Sequence, residues 1–351
     1  MEKTDIKSLY RDELREVLTE MGEKNFRADQ IYDWMHVKFA DGFDEMTNIS
    51  GAFREECKKR FFLASLKTVK VQKSKKDGTK KYLFALDDGN VVESVLMPYK
   101  HGNSVCISSQ VGCRMGCRFC ASTLDGLTRN LRASEMLEQV YAVMRETGER
   151  VSNVVVMGTG EPLDNYDNLV RFIRLLTDEK GYHLSQRNIT VSTCGIVPEI
   201  LRLAEEGLQI TLALSLHGAT DEKRQELMPI AKVYSIKELM DAVDVYFEKT
   251  GRRITFEYSL VAGVNDTYED AERLSRLAGE RKCHINLIPV NPIKERNYRQ
   301  PDKTYLISFK NKLEKNRINV TIRREMGRDI DGACGQLRKR FLEESKEDIQ
   351  C

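Results

Sequence analysis

From about residue 103 onward, short β-rich runs alternate with helical stretches, and this alternation limits the folds open to the chain more than any other feature. The runs are Val105 to Ser109, Val154 to Met157, Ile189 to Ser192, Ile210 to Leu216, Ile254 to Leu260 and His284 to Val290. Each is followed by a stretch with helical periodicity. Strands joined by connections of that length pair parallel, through crossover helices. Six such units predict an α/β fold, a partial (β/α)6 TIM-like barrel, with a closing strand at Val320 to Arg323. No glycine-rich dinucleotide fingerprint follows the first strand, which argues against a nucleotide-binding doubly wound sheet.

The segments before the barrel read differently. Residues 1–65 carry short amphipathic helices, with Leu9, Leu14, Val17 and Leu18 on one stripe and Ile31, Trp34 and Met35 on another; they form a small helical accessory domain with an RNA-binding role. Residues 66–98 alternate with period two, through Val69 and Val71, then Tyr82, Phe84 and Leu86, then Val92 and Val95. The breaks at Lys76-Asp77-Gly78 and Asp87-Asp88-Gly89-Asn90 are hairpin turns, so this is an antiparallel β-hairpin extension. One wet face on such a strand would leave Glu93 pointing to solvent. Residues 99–345 hold the barrel and a C-terminal segment.

The composition, 41% hydrophobic and 31% charged, is that of a globular protein. No apolar run is long enough to cross a bilayer, and the start Met1-Glu2-Lys3-Thr4 lacks the apolar core of a signal peptide. The expectation is a cytoplasmic protein with no membrane partner. In a reducing compartment, nine cysteines read as metal-binding or catalytic thiols rather than a disulfide framework. Net charge is +2 but unevenly spread. Ten Lys or Arg stand against Asp77 between Lys58 and Lys81, and eight stand against three acids between Lys315 and Arg340. Two basic stretches beside an enzyme core point to a nucleic acid.

Active sites of βα barrels collect at the carboxyl ends of the strands, and the chemically capable motifs fall there. Cys113, Cys117 and Cys120 follow the first strand, Gly158-Thr159-Gly160-Glu161-Pro162 the second and Ser192-Thr193-Cys194-Gly195 the third. Ser215-Leu216-His217 follows the fourth and Val290-Asn291-Pro292 the sixth. Spacings of four and three residues let one loop hold three corners of a 4Fe-4S cluster and leave the fourth iron open. A zinc site, which would need a fourth Cys or His nearby, and a chance group of buried thiols are the other readings. Cys106, in the first strand, reads by itself as a small apolar side chain of the barrel interior. Cys334 lies in Asp331-Gly332-Ala333-Cys334-Gly335 among basic residues that favour its thiolate. Cys57, Cys194, Cys283 and Cys351 have no constellation around them.

The run from Cys113 to Ser122, Cys-Arg-Met-Gly-Cys-Arg-Phe-Cys-Ala-Ser, resembles the signature of radical S-adenosylmethionine enzymes. Gly160-Glu161-Pro162-Leu163-Asp164-Asn165, Leu227-Met228-Pro229-Ile230, the run Asn286 to Pro292 and the run Ile330 to Leu337 narrow the likeness, over nearly the whole chain, to ribosomal RNA adenine methyltransferases that modify carbon 2. The resemblance implies methylation of an adenosine at the peptidyl transferase centre of 23S rRNA and, in some members, of one in the tRNA anticodon loop. It implies one 4Fe-4S cluster on Cys113, Cys117 and Cys120, two molecules of S-adenosyl-L-methionine per turnover, an electron donor such as a flavodoxin, and a monomer. It makes Cys334 the methyl carrier, Cys106 the thiol that resolves the adduct through a transient disulfide, and Glu93 the base. Cofactor contacts carry over to Gly160, Glu161, Ser192, Ser215, Leu216, His217 and Asn291.

A sibling family that methylates carbon 8 and confers antibiotic resistance shares the cysteines. It typically carries Ala where this chain has Pro162, and Arg-Tyr in place of Pro289-Val290, so both positions favour carbon 2. Thr159 and Gly332 depart from the family, which usually has Met and Ala there. A remoter reading is an RNA-binding protein with a structural metal site.

Overall fold

The structure is a computed structural model and describes residues 3–279, 281–293, 295–330 and 335–342. One sheet of ten strands, hydrogen-bonded in chain order, runs through it. The strands are β1 (Lys67–Lys73), β2 (Lys80–Ala85), β3 (Val91–Tyr99), β4 (Gly102–Ile107), β5 (Val151–Val156), β6 (Ile189–Thr193), β7 (Thr211–Ser215), β8 (Ile254–Leu260), β9 (Cys283–Pro289) and β10 (Val320–Ile322). Pairing is antiparallel from β1 to β4 and parallel from β4 to β10. The edges β1 and β10 do not meet, so the barrel is open. The predicted extension is thus continuous with the barrel, joined where Val95 pairs with Cys106.

The crossovers are α4 (Ala133–Thr147), α5 (Tyr166–Thr177), α6 (Val197–Glu205), α7 (Asp221–Leu227), α8 (Ile236–Thr250), α9 (Tyr268–Ala278) and α10 (Lys303–Lys315). Their limits follow local chemistry. Ser235 and Glu238 close a capping box on α8, and Gly251 ends that helix at φ 64°, a left-handed conformation that costs glycine little. The fully buried positions of the parallel strands are mostly Val, Ile, Leu and Ala, as strands covered by helices require.

The N-terminal module, α1 (Arg11–Glu20), α2 (Asn25–His36) and α3 (Gly51–Arg60), shares one apolar core with the barrel. Its seam with α4 is polar and dry. Lys7 is fully buried and bonds Ala40 O at 3.1 Å, Ala64 O at 3.0 Å and Glu138 at 2.5 Å, while Arg145 holds the other Glu138 oxygen at 2.7 Å. A charge so placed is tolerated only because it is paired and its remaining donors are bonded.

The expectation of a wet face on β3 is corrected. Tyr82, Phe84, Val92 and Leu96 join the barrel core, where Ser94 bonds Gln139 on α4. The opposite face, with Lys81, Leu83, Val91 and Glu93, is also buried. It is covered by the helical residues 336–342, whose Leu337 packs on Leu83 and Val91. A strand between two layers buries both sets of side chains, which is why Glu93 is only 4% exposed. Among the described residues no helix is long and apolar enough to cross a membrane.

Candidate active site

The carboxyl ends of the parallel strands surround a cavity of about 230 Å³. Cys113, Cys117 and Cys120 line it together with Gly160, Glu161, Ser192, Ser215, His217 and Asn291. Of the cofactor contacts named from the sequence, Leu216 does not reach the wall: its side chain is fully buried and its N–H donates to Glu257 O. Gly160, at φ 110°, has no room for a side chain, since a Cβ there would stand 2.6 Å from the Gln110 side chain and 2.8 Å from its backbone nitrogen. Glu161 is buried and accepts from the N–H of Cys194 at 2.7 Å and of Leu163 at 3.1 Å, so its carboxylate ties two strand ends together. Burial pushes its pKa up and these bonds oppose the shift.

His217 adopts a left-handed backbone, φ 52°, unusual for a residue with a side chain. Its Nδ1 accepts from Ser259 N–H at 2.9 Å, which leaves the proton on Nε2. Burial and the nearby Arg224 hold its pKa down to about 3, so it is neutral. Phe119, inside the cysteine motif, packs edge-on against its ring at 4.9 Å.

The three thiols were tested as a cluster site. No group of three or more His, Cys, Asp or Glu among the described residues already stands at metal-ligand spacing. The donor chemistry nevertheless fits an iron-sulfur cluster: three thiols of one loop share one cavity wall, close enough to influence one another's ionisation. Burial pushes Cys113 up to about 12 and raises Cys117 well above its ordinary value, because a dry site disfavours a bare thiolate. A second observation concerns charge. Arg224 is fully buried and donates from one nitrogen to Cys194 O at 2.6 Å, while among the described residues its Nε and Nη1 have no partner. A buried guanidinium with two idle donors beside Cys117 suits an anionic thiolate-bound cluster, so the residues present fit the group.

Cys194, like Arg224 and Glu257, is a residue that sequence reading missed. It lines the same cavity and packs with Cys117, Leu227 and Met228. The signal was available, since Ser192-Thr193-Cys194-Gly195 ends a barrel strand, but a lone cysteine there looked like packing.

A second cavity, about 610 Å³, adjoins the first. Both are lined by Met157, Glu257, Ile288, Asn291, Arg323 and Gln336, which therefore form the passage between them. Cys106, 6% exposed, lies on the wall of the second cavity with Val95 and Met97. Arg323 and Arg324 line that cavity beside Glu325, which is paired with Arg328.

Cys334 and Gly332 lie outside the described residues. On the near side of them, Asp77 accepts from Gly327 N–H at 2.8 Å, and Asp329 accepts from Ser74 Oγ at 2.6 Å and Lys75 N–H at 2.9 Å. On the far side, Glu93 accepts from the N–H groups of Gly335 and Arg338, both at 2.6 Å. Its Oε2 also pairs with Lys81, itself 0% exposed, at 3.1 Å. Gly335, at φ 79°, runs so close to the cysteine loop that a Cβ there would meet Ser122 N at 3.0 Å. Thr159 is buried and its backbone bonds Ser108, Ser109 and Gln110, a structural placement.

The basic run at Lys58 to Lys81 is narrower than its sequence suggests. Lys58, Lys59, Arg60, Lys80 and Lys81 are engaged with carboxylates, whereas Lys67, Lys73, Lys75 and Lys76 are exposed along or beside the edge strand β1.

Known proteins show the same combination of parts. The Radical SAM superfamily profile matches residues 107–278, and that of the ribosomal RNA large subunit methyltransferase N-terminal domain matches residues 4–63. A probable dual-specificity RNA methyltransferase RlmN of Lachnospira eligens is 65% identical over 98% of both chains, and one of Lachnoclostridium phytofermentans is 61% identical over 98% of this chain and 97% of that protein. The crystal structure of a radical SAM methyltransferase from Sphaerobacter thermophilus superposes with a TM-score of 0.91 at 42% identity, covering 95% of this chain and 98% of that one.

Proposed function

Because the chain belongs to the dual-specificity RNA methyltransferase RlmN family, and is therefore a radical SAM RNA methyltransferase, we propose that it methylates carbon 2 of an adenosine in 23S rRNA and in the tRNA anticodon loop. The observation that supports this most is the pair of joined cavities, one walled by the three cluster thiols and the other by Cys106, with Gln336, two residues from Cys334, lining both. Methyl donor and target base then meet where two thiols can serve both.

Carbon 2 of adenine lies between two ring nitrogens and is not nucleophilic, so polar transfer from a sulfonium has no good path. The Cys334 thiolate displaces the methyl group of one S-adenosylmethionine, forming a thioether and releasing S-adenosylhomocysteine. Cys113, Cys117 and Cys120 would hold a 4Fe-4S cluster, which would supply the electron for reductive cleavage of a second S-adenosylmethionine and so the radical that would take a hydrogen atom from the S-methyl group on Cys334. The methylene on Cys334 adds to carbon 2 and joins protein to RNA. The carbon 2 proton then passes to Glu93 and one electron leaves the ring to a one-electron acceptor, a role that an oxidised cluster held by Cys113, Cys117 and Cys120 would fill. Attack by Cys106 on the Cys334 sulfur breaks the carbon–sulfur bond. The freed methylene carbon takes up a proton to become the methyl group, and a Cys106–Cys334 disulfide remains for a two-electron donor to reduce.

Other groups of this chain orient and exclude. Gly160 lets S-adenosylmethionine approach the backbone, neutral His217 offers an Nε2 donor without adding charge, and Glu161 holds the strand ends that carry these groups. Glu93 accepts a proton only by weakening its bonds to Gly335 and Arg338, which couples proton uptake to release of the segment after Cys334. The target base has to leave its stack to enter the passage, at a cost of a few kcal/mol that Lys67, Lys73, Lys75 and Lys76 offset by holding phosphates.

The test is the Cys106→Ala protein supplied with reductant, S-adenosylmethionine and a target RNA. It should stall as a covalent RNA–protein adduct on a denaturing gel, and Cys334→Ala should form none. Free methylated RNA from either variant would overturn the two-thiol route.

A further inference from the structure

In the barrel interior, Ser215 pairs in register with Glu257, Glu257 with Asn286 and Asn286 with Thr321. Register partners in parallel strands point the same way, so β7 to β10 contribute one polar row where a barrel interior is usually apolar. Glu257 is the only ionisable group in that row, and it is 5% exposed. Burial pushes its carboxyl above the ordinary range, opposed by Asn286 and Arg323. An isolated buried carboxylate is costly, and a chain does not keep one in its interior without a partner.

The partner found is half of one. Asn286 Nδ2 donates to Oε2 at 2.8 Å. Among the described residues nothing donates to Oε1, and that oxygen is not sealed in the protein, so it faces the passage. Asn286 and Thr321, which hold the row in place, line only the second cavity, the one with Cys106 on its wall. Cys106 sits on β4 and Glu257 on β8, separated by three strands of the curved sheet, and both face this cavity. Ser215, the fourth member of the row, lines only the first cavity, so Glu257 stands at the junction and its idle acceptor is open to a base that reaches the passage from the second cavity.

We infer that Glu257 is a specificity-determining residue: its Oε1 accepts a hydrogen bond from the exocyclic amine of the target adenine. The inference rests on the carbon 2 reading. That carbon, ring nitrogen 1 and the amine share the Watson–Crick edge, so a base presenting carbon 2 to the two thiols presents its amine to the same cavity. A base with a keto oxygen at the amine position sets two acceptors against each other, and the buried carboxylate cannot turn to water. The row of Asn286 and Thr321 fixes the carboxylate, so the contact is built before the base arrives.

Equilibrium binding of a stem-loop RNA to the cluster-loaded protein tests this, with the target adenosine replaced by purine riboside, which lacks the amine, or by inosine, which carries a keto oxygen. The wild type should bind adenosine RNA about 10- to 100-fold more tightly than purine riboside RNA, the usual worth of a hydrogen bond to a charged group, and inosine RNA more weakly still. In Glu257→Gln the amide keeps an acceptor for Asn286 and can donate to a keto oxygen, so preference should move toward inosine. A purely structural role would not produce that reversal. Identical base ratios in wild type and Glu257→Gln would overturn the inference. Intact discrimination with no 2-methyladenosine formed would overturn the carbon 2 reading and keep this one.

Discussion

Replacing Glu93 with Gln should undock the segment that follows Cys334. The carboxylate accepts two charge-assisted bonds of 2.6 Å and neutralises Lys81, whose side chain is 0% exposed. A Gln side chain offers one acceptor where two amides need one each, and it removes the carboxylate that Lys81 pairs with at 3.1 Å. Removing one partner of a buried pair costs about 3–5 kcal/mol, and losing a helix cap about 1 kcal/mol. Residues 335–342 are also held by Leu337, Phe341 and Leu342 on Leu83 and Val91 and by Arg338 Nε on Val91 O at 3.1 Å, but the Glu93 bonds anchor the first turn, so the loss should fall on local opening there. A loss of about 3 kcal/mol corresponds to roughly a hundredfold faster hydrogen exchange at the amides of Gly335 and Arg338. Mass-resolved exchange measures this, and the double variant Lys81→Met with Glu93→Gln should recover part of the protection because it also removes the charge that pairs with Glu93. Methyl transfer restored along with protection would make Glu93 a positioning residue alone, and transfer still absent would give its carboxylate a chemical role. Exchange at the two amides changed less than twofold in Glu93→Gln would refute the docking argument.

Arg224→Met should keep the fold yet lower the iron content of reconstituted protein, since it removes the buried charge beside Cys117; unchanged iron content and absorption would contradict that role. Replacing Lys67, Lys73, Lys75 and Lys76 with Gln should weaken RNA binding uniformly and flatten its salt dependence by about 0.9 in log–log slope for each phosphate that is no longer neutralised, whereas the same change at Lys58, Lys59 and Arg60 should do little, as binding titrations at several salt concentrations would show. His36, fully buried against Tyr141, is held down to about 3 by burial. The unfolded chain binds that proton and the native one does not, so stability falls as pH drops from about 6.5 toward 3, by about 1.4 kcal/mol per pH unit. Urea unfolding of His36→Gln should lack that share of the slope. Gly160→Ala should abolish S-adenosylmethionine binding, followed by equilibrium dialysis, because its Cβ has no space.

The barrel was legible because parallel strands covered on both faces read as β-branched runs between helices; β8 matches its predicted limits, and the others shift by a few residues at their ends. The three cysteines were legible because ligand spacing within one loop is a local property. What sequence could not supply were contacts across layers. Glu93 looked wet because alternation cannot reveal that a distant helix covers the other face of β3. Lys81 looked like part of an RNA grip for the same reason. Cys194 and Glu257 are brought to the cavities by strand order and register, properties of the sheet as a whole, and Arg224 is set against Cys194 by helix α7.

The account stands or falls on the methylated atom. Total RNA from cells with and without the gene, digested to nucleosides and resolved by mass spectrometry, should show 2-methyladenosine in 23S rRNA and in tRNA only when the gene is present. 8-Methyladenosine in its place, or unchanged amounts of 2-methyladenosine, would contradict it.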